Sequence, residues 1–105
     1  MTSVPSGTDW ATDTAHKHVM RAALILRDGP WCHYCGDTFS TRKGKRLTFD
    51  HVWPQTFGRV DSDWNIVLAC ADCNSRRGHS LDWCFCDFCQ TAKVFGELAV
   101  LGVAA

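Results

Sequence analysis

Asp50 and His51 stand side by side in the stretch FDHVWPQ, an acid and an imidazole of the types that hydrolytic sites use. Neighbours on a strand point to opposite faces, so one of the pair can face a metal ion while the other faces a water. A histidine with an ordinary pKa near about 6.5 can take a proton from water at neutral pH, and a carboxylate is a hard ligand for a divalent cation. That division suits hydrolysis of a phosphodiester. Taken alone, the pair also fits a surface turn or a satisfied core histidine.

The cysteines narrow the choice. Cys32-x2-Cys35 and Cys70-x2-Cys73 are two knuckles separated by 34 residues, the spacing of a tetrahedral structural zinc site. A closed shell of four thiolates staples a fold and does no chemistry, which matters in a chain of 105 residues with a small core. Seven cysteines, an odd number, argue against a fully paired disulfide framework and for a reducing compartment. The opening MTSVPSGTDW lacks the basic flank and apolar centre of a signal peptide, and no apolar run is long enough to span a bilayer. These features point to a cytoplasmic protein.

The elements that must position these groups can be read from periodicity and turn residues. Residues 1–11 are polar and Gly/Pro-containing, a flexible N-terminus. Ala15, Val19, Ala22, Ala23 and Leu26 recur at helical steps, predicting a helix from Asp13 or Thr14 to about Arg27, capped by Thr12 or Asp13 and stopped by Asp28-Gly29-Pro30. RLTFDHV over 46–52 alternates as a strand, residues 53–63 form a loop, and Asn65–Ala69 forms a short buried strand or turn. Cys73 to Gly78 predicts a short helix, and a last helix runs from about Gln90 to Leu101.

The order C-x2-C, D-H-x2-P, N, C-x2-C-N-x3-G, carried by CHYC, FDHVWP, WNIVLACADCN and NSRRG, resembles the zinc-knuckle HNH endonucleases. The resemblance covers roughly Trp31 to Gly78. It implies a small, zinc-stapled α+β fold with a ββα-metal, treble-clef-like core, here flanked by an N-terminal and a C-terminal helix. It divides the chain into the N-terminus, an HNH domain with its leading helix over 12–81, and a Cys-rich extension over 82–105. It further implies metal-dependent nicking of DNA, with His51 as general base and Asn65 holding it in place. Asp50 and Asn74 would hold one catalytic ion, Mg²⁺ or Mn²⁺ by ligand hardness and Ni²⁺ as an alternative, with His79 a further candidate ligand. Small free-standing members occur in bacteriophages and bacteria, some beside DNA-packaging machinery. A phage-encoded member would act in the bacterial host cytoplasm, and double-strand cleavage would call for a dimer or a partner.

Net charge is zero, which excludes a globally basic nucleic-acid binder, but the charge is uneven. Arg42, Lys43, Lys45, Arg46, Arg59, Arg76 and Arg77 face four acids between residues 40 and 79, a patch suited to DNA phosphates. Trp53, Phe57 and Trp64 are read as core packing. Cys84, Cys86 and Cys89 lie beyond the resemblance. With His79 they spell a second zinc set, and the alternatives are buried reduced thiols or ligand sets mixed with the first. His16, His18 and His33 are read as non-catalytic. The competing function is a non-catalytic zinc module that binds nucleic acid.

Overall fold

A computed structural model describes residues 14–102, so the expected flexible N-terminus and the Thr12 or Asp13 cap lie outside the described residues. Helix α1 (Thr14–Asp28) leads into strand β1 (Leu47–His51), strand β2 (Ile66–Cys70), helix α2 (Ala71–Arg77) and helix α3 (Asp87–Val100). The two strands pair antiparallel, with Asp50 opposite Val67 and His51 opposite Ile66. This is a small α+β fold consistent with a ββα-metal core. Among the described residues, no helix is long and apolar enough to cross a membrane.

All five residues of β2, IVLAC, are buried, because both faces of the hairpin are covered. Ile66 and Leu68 pack with Met20 and Leu24 of α1, while Val67 packs with Val52 and with Cys89 and Ala92 of α3. A strand buried on two sides reads as a continuous apolar run, which is how it appears in the sequence.

The apolar face expected on α1 is rotated. Val19 is 63% exposed and Leu26 88% exposed, whereas Met20 and Leu24 face the core. The helix carries apolar residues on more than one face, and periodicity alone cannot choose among them. Arg27, one step beyond Leu26, fixes the rotation: its guanidinium donates to the carbonyls of Asp63 (2.8 Å) and Ile66 (2.7 Å) and lies over the Phe88 ring.

Helix α3 begins at Asp87, earlier than the expected Gln90, because the Cys86 sulfur accepts the Cys89 N–H and caps the first turn. Gly96 lets α3 close on the loop after β1. A Cβ there would stand 2.3 Å from Cγ of Trp53. Trp53 and Trp64 pack the hairpin against α3, Trp64 meeting Phe95 edge-on, whereas Phe57, expected in the core, meets Trp53 from the surface and is 42% exposed.

Candidate active site and metal centres

The first knuckle follows the positive-φ turn at Gly29 and closes on Gly36, also at positive φ, whose N–H donates to Cys32 O. The second knuckle joins β2 to α2, with Cys70 as the N-cap of that helix. The sulfurs of Cys32, Cys35, Cys70 and Cys73 converge within 4.8 Å of one another. Cys35 and Cys70 are 4.0 Å apart, close to the edge of about 3.8 Å that a tetrahedron of Zn–S bonds requires. In each knuckle the first sulfur accepts the N–H of the second cysteine, at 3.5 Å for Cys32 and 3.4 Å for Cys70.

Burial is the largest influence on the Cys32 thiol and pushes it up, but backbone N–H donors at Cys35, Cys70 and Tyr34 bring it down to about 7. Burial pushes Cys73 well up. One sulfur thus ionises near neutrality on the protein's own hydrogen bonds, and a bound cation would ionise the rest. The donor set fits a structural zinc.

β1 carries the Asp-His pair across this staple and presents its two members to different surroundings. His51 is buried, with Nε2 2.7 Å from Asp61 Oδ1 and Nδ1 3.2 Å from the Gln55 amide nitrogen. Asp61, fully buried, is held in turn by Arg59 Nε at 2.9 Å to each oxygen. A carboxylate on Nε2 fixes the tautomer: Nε2 carries the proton, and the Nδ1 lone pair receives the Gln55 N–H. Burial pushes the imidazole below its ordinary value, against the pull of Asp61, so the ring is neutral near pH 7.

Asn65, the asparagine expected to steady the histidine, does not touch the ring in this arrangement. Its Oδ1 accepts Trp53 N–H at 2.7 Å, and its Nδ2 donates to Trp53 O (3.2 Å) and Val60 O (2.9 Å). It therefore fixes the loop that delivers Gln55 and Asp61 rather than His51 itself.

On the other side, Asp50 accepts the Tyr34 hydroxyl and Arg77 Nη1, the latter 3.0 and 3.1 Å from its two oxygens. Arg77 also donates to the carbonyls of His51 (2.6 Å) and Val52. Burial pushes the Asp50 carboxyl above its ordinary value, against Arg77 and Tyr34. Asn74 reaches β1 from α2, donating Nδ2 to Thr48 Oγ1 (2.9 Å) and to Phe49 O (3.3 Å). An amide used as a donor in this way keeps its Oδ1 for another partner.

Asp50, His51, Gln55, Asn74, Ser75 and His79 line one cleft of about 440 Å³. His79, five residues past Asn74, reaches this cleft because Gly78 breaks the helix at positive φ. A second cleft of about 370 Å³ shares Phe49, His51 and Gln55 with it and is lined by Lys17, Arg21, Arg46 and Arg59.

The family model of the HNH endonucleases matches residues 32–80. Residues 32–80, just under half of the chain, are similar to an HNH endonuclease domain. No curated protein matches the chain. The HNH segment spans both knuckles, the Asp-His pair and the whole first cleft, and stops short of α1 and α3. The match suggests nuclease-type chemistry with metal binding.

Two placements differ from those expected from the sequence. Arg77, expected at a DNA phosphate, is 4% exposed and spends its donors on Asp50 and the end of β1, so it is not a surface contact. The position packs inward because it lies one helical turn from both Cys73 and Asn74, which face the hairpin. Arg76 stays outside, paired with Asp72 at 3.1 Å. The histidine that joins Cys84, Cys86 and Cys89 is His33, not His79. His33 sits inside the first knuckle, which faces the start of α3, whereas His79 is turned into the cleft.

Of the remaining basic residues, Lys45 pairs with Asp37 at 2.7 Å and Arg42 lies 3.9 Å from the same carboxylate. Lys43 and Arg46 make no ion pair among the described residues. Two groups escaped the sequence reading. Asp61 is one of two acids in the loop, with no spacing that marks it. Lys17 and Arg21 stand four apart on α1, a helical pair whose meaning needed the hairpin beneath it.

Proposed function

We propose that this protein is a metal-dependent endonuclease that nicks DNA by hydrolysis, with His51 as general base. The observation that carries the proposal is the His51 environment: Nε2 is committed to a fully buried Asp61, while Nδ1 meets the amide of Gln55, which lines the first cleft together with His51, Asp50, Asn74 and His79. A water taking the place of the Gln55 amide at Nδ1 gives up its proton there, and Asp61 steadies the imidazolium that results. Asn65 keeps the loop that bears Gln55 in register through the Trp53 backbone.

Asp50 and Asn74 are the groups that would hold the divalent ion, with His79 available beside them. The carboxylate has about four lone-pair sites, and Tyr34 and Arg77 occupy three, so one remains for a cation. The Asn74 Oδ1, without a protein partner among the described residues, is a second hard oxygen. This donor set suits Mg²⁺ or Mn²⁺. When bound, such an ion neutralises charge on the scissile phosphate and the leaving 3′ oxygen.

The second cleft runs from His51 past four cations, a track for the phosphates on one side of the cut. Lys17 and Arg21 thereby join Arg46 and Arg59 as backbone contacts, which position DNA without reading its sequence. Arg42, Lys43, Lys45 and Arg76, outside this cleft, would add non-specific attraction.

The test is plasmid nicking by purified protein in Mg²⁺, Mn²⁺ and Ni²⁺. His51→Ala should cut the rate by about 10²- to 10⁴-fold, the usual contribution of a general base, with zinc content and circular dichroism unchanged. Equal nicking by the variant would remove His51 from the role of base. Wild-type protein that binds DNA but never nicks would favour the non-catalytic zinc module.

A further inference from the structure

The structure assigns a second zinc site to His33, Cys84, Cys86 and Cys89, outside the matched family segment in three of its four ligands. Their ligand atoms lie within 4.8 Å of one another. His33 Nε2 stands 3.3 Å from Cys86 Sγ and 3.5 Å from Cys89 Sγ. Ligands bound at ordinary Zn–N and Zn–S lengths at a tetrahedral angle are about 3.5 Å apart. One nitrogen at nearly the same distance from two sulfurs is what a shared cation would impose, and three thiols with one imidazole form a complete structural shell.

A second observation comes from the backbone. Cys86-x2-Cys89 has the same knuckle hydrogen bond as the other two pairs: the Cys86 sulfur accepts the Cys89 N–H at 3.5 Å, as Cys32 accepts from Cys35 and Cys70 from Cys73. Three knuckles of one geometry are too many for a single tetrahedral ion. Two of them complete the first shell, and the third needs partners from elsewhere, which Cys84 and His33 supply. Cys84 is held in place through its carbonyl, which accepts the Lys93 ammonium at 3.2 Å.

The fourth ligand makes the two sites interdependent. Residues 32–35 read Cys-His-Tyr-Cys, so one knuckle gives two thiolates to the first ion, an imidazole to the second, and between them the Tyr34 hydroxyl to Asp50. His33 is anchored by its N–H to Leu68 O of β2 at 2.9 Å, and its ring meets those of Tyr34 and Phe88. The second ion would therefore clamp the N-terminus of α3 to the knuckle that also positions Asp50. This assignment does not depend on whether the chain cuts DNA.

Metal counting tests it. Full-length protein, purified under reducing conditions, loaded with zinc and freed of weakly held ions by gel filtration, should carry two ions per chain by native mass spectrometry, one for each cluster. His33→Ala should carry one, His33→Cys should return to two by supplying a fourth thiolate, and His79→Ala should keep two. In zinc-loaded wild type, Cys84, Cys86 and Cys89 should resist maleimide and become reactive in His33→Ala. One ion in the wild type with those three thiols reacting freely would overturn the site, as would a full count of two in His33→Ala. Should His33→Ala fail to fold, the wild-type count and the His33→Cys count decide.

Discussion

Asp50 and His51 are adjacent on one strand, both buried, and held in opposite ways. The His51 side is local: Gln55 and Asp61 come from the ten residues that follow it, and Asn65 closes the loop just before the far strand. The Asp50 side is assembled from a distance. Tyr34 belongs to the first knuckle and Arg77 to the helix that the second knuckle starts. The imidazole is thus oriented by its own loop, while the carboxylate is oriented by the elements that carry the two knuckles. A fault in the cluster should reach Asp50 first.

The largest expected effect breaks both sides together. Structural zinc contributes an apparent binding free energy of about 10–16 kcal/mol in small zinc domains, well above the stability of most domains. Stripping zinc with a strong chelator should therefore abolish the cooperative thermal transition, followed by circular dichroism, and re-addition should restore it. A native-like transition in the stripped protein would show that the hairpin core stands without its staple.

Next in size is Arg77→Met, aimed at the Asp50 side alone. Removing one partner of a buried ion pair costs roughly 3–5 kcal/mol because the other charge is left behind. The double variant Asp50→Asn/Arg77→Met should recover a large part of that loss in urea unfolding, since no buried charge remains. Failure to recover would mean that Arg77 acts chiefly through the His51 and Val52 carbonyls. On the His51 side, Asp61→Asn keeps the shape and removes the charge. Losing a partner that orients a functional imidazole typically costs about 10- to 100-fold, to be read as nicking rate with unfolding midpoint and zinc content held.

The same contrast governs how much was legible in the sequence. The knuckles and the hairpin announce themselves, because ligand spacing and a run of five buried residues are local patterns. The Asp-His pair and Asn74 fall into the cleft for the same reason: each sits a fixed step from a knuckle or within a strand. What spacing could not reveal depends on which elements meet. α1 has apolar residues on several faces, and only contact with Ile66 and Leu68 selects Met20 and Leu24. His33 and His79 are each a short step from a cysteine group, and the fold, not the count of residues, brings His33 to Cys86 and Cys89. Arg77 reads as a phosphate ligand until the helix turns it inward. Asp61 carries no motif at all.

Gln55→Ala should have the smallest effect and sharpens the account of the His51 side. The Gln55 amide is 3.2 Å from Nδ1, where the attacking water must sit if the imidazole is the base. A neutral hydrogen bond of this kind contributes about 0.5–1.5 kcal/mol net, so its loss changes the readiness of Nδ1 by roughly threefold to tenfold. Because the amide competes with the water, the sign should be upward: single-turnover nicking should hold or rise, with stability little changed. Asp61 differs in kind, since its carboxylate holds Nε2 and would stabilise the charged ring if the imidazole is the base. A fall beyond tenfold in Gln55→Ala would make Gln55 a group that positions the water. Nδ1 would then be served from both sides, and the His51 half of the site would be as dependent on its surroundings as the Asp50 half.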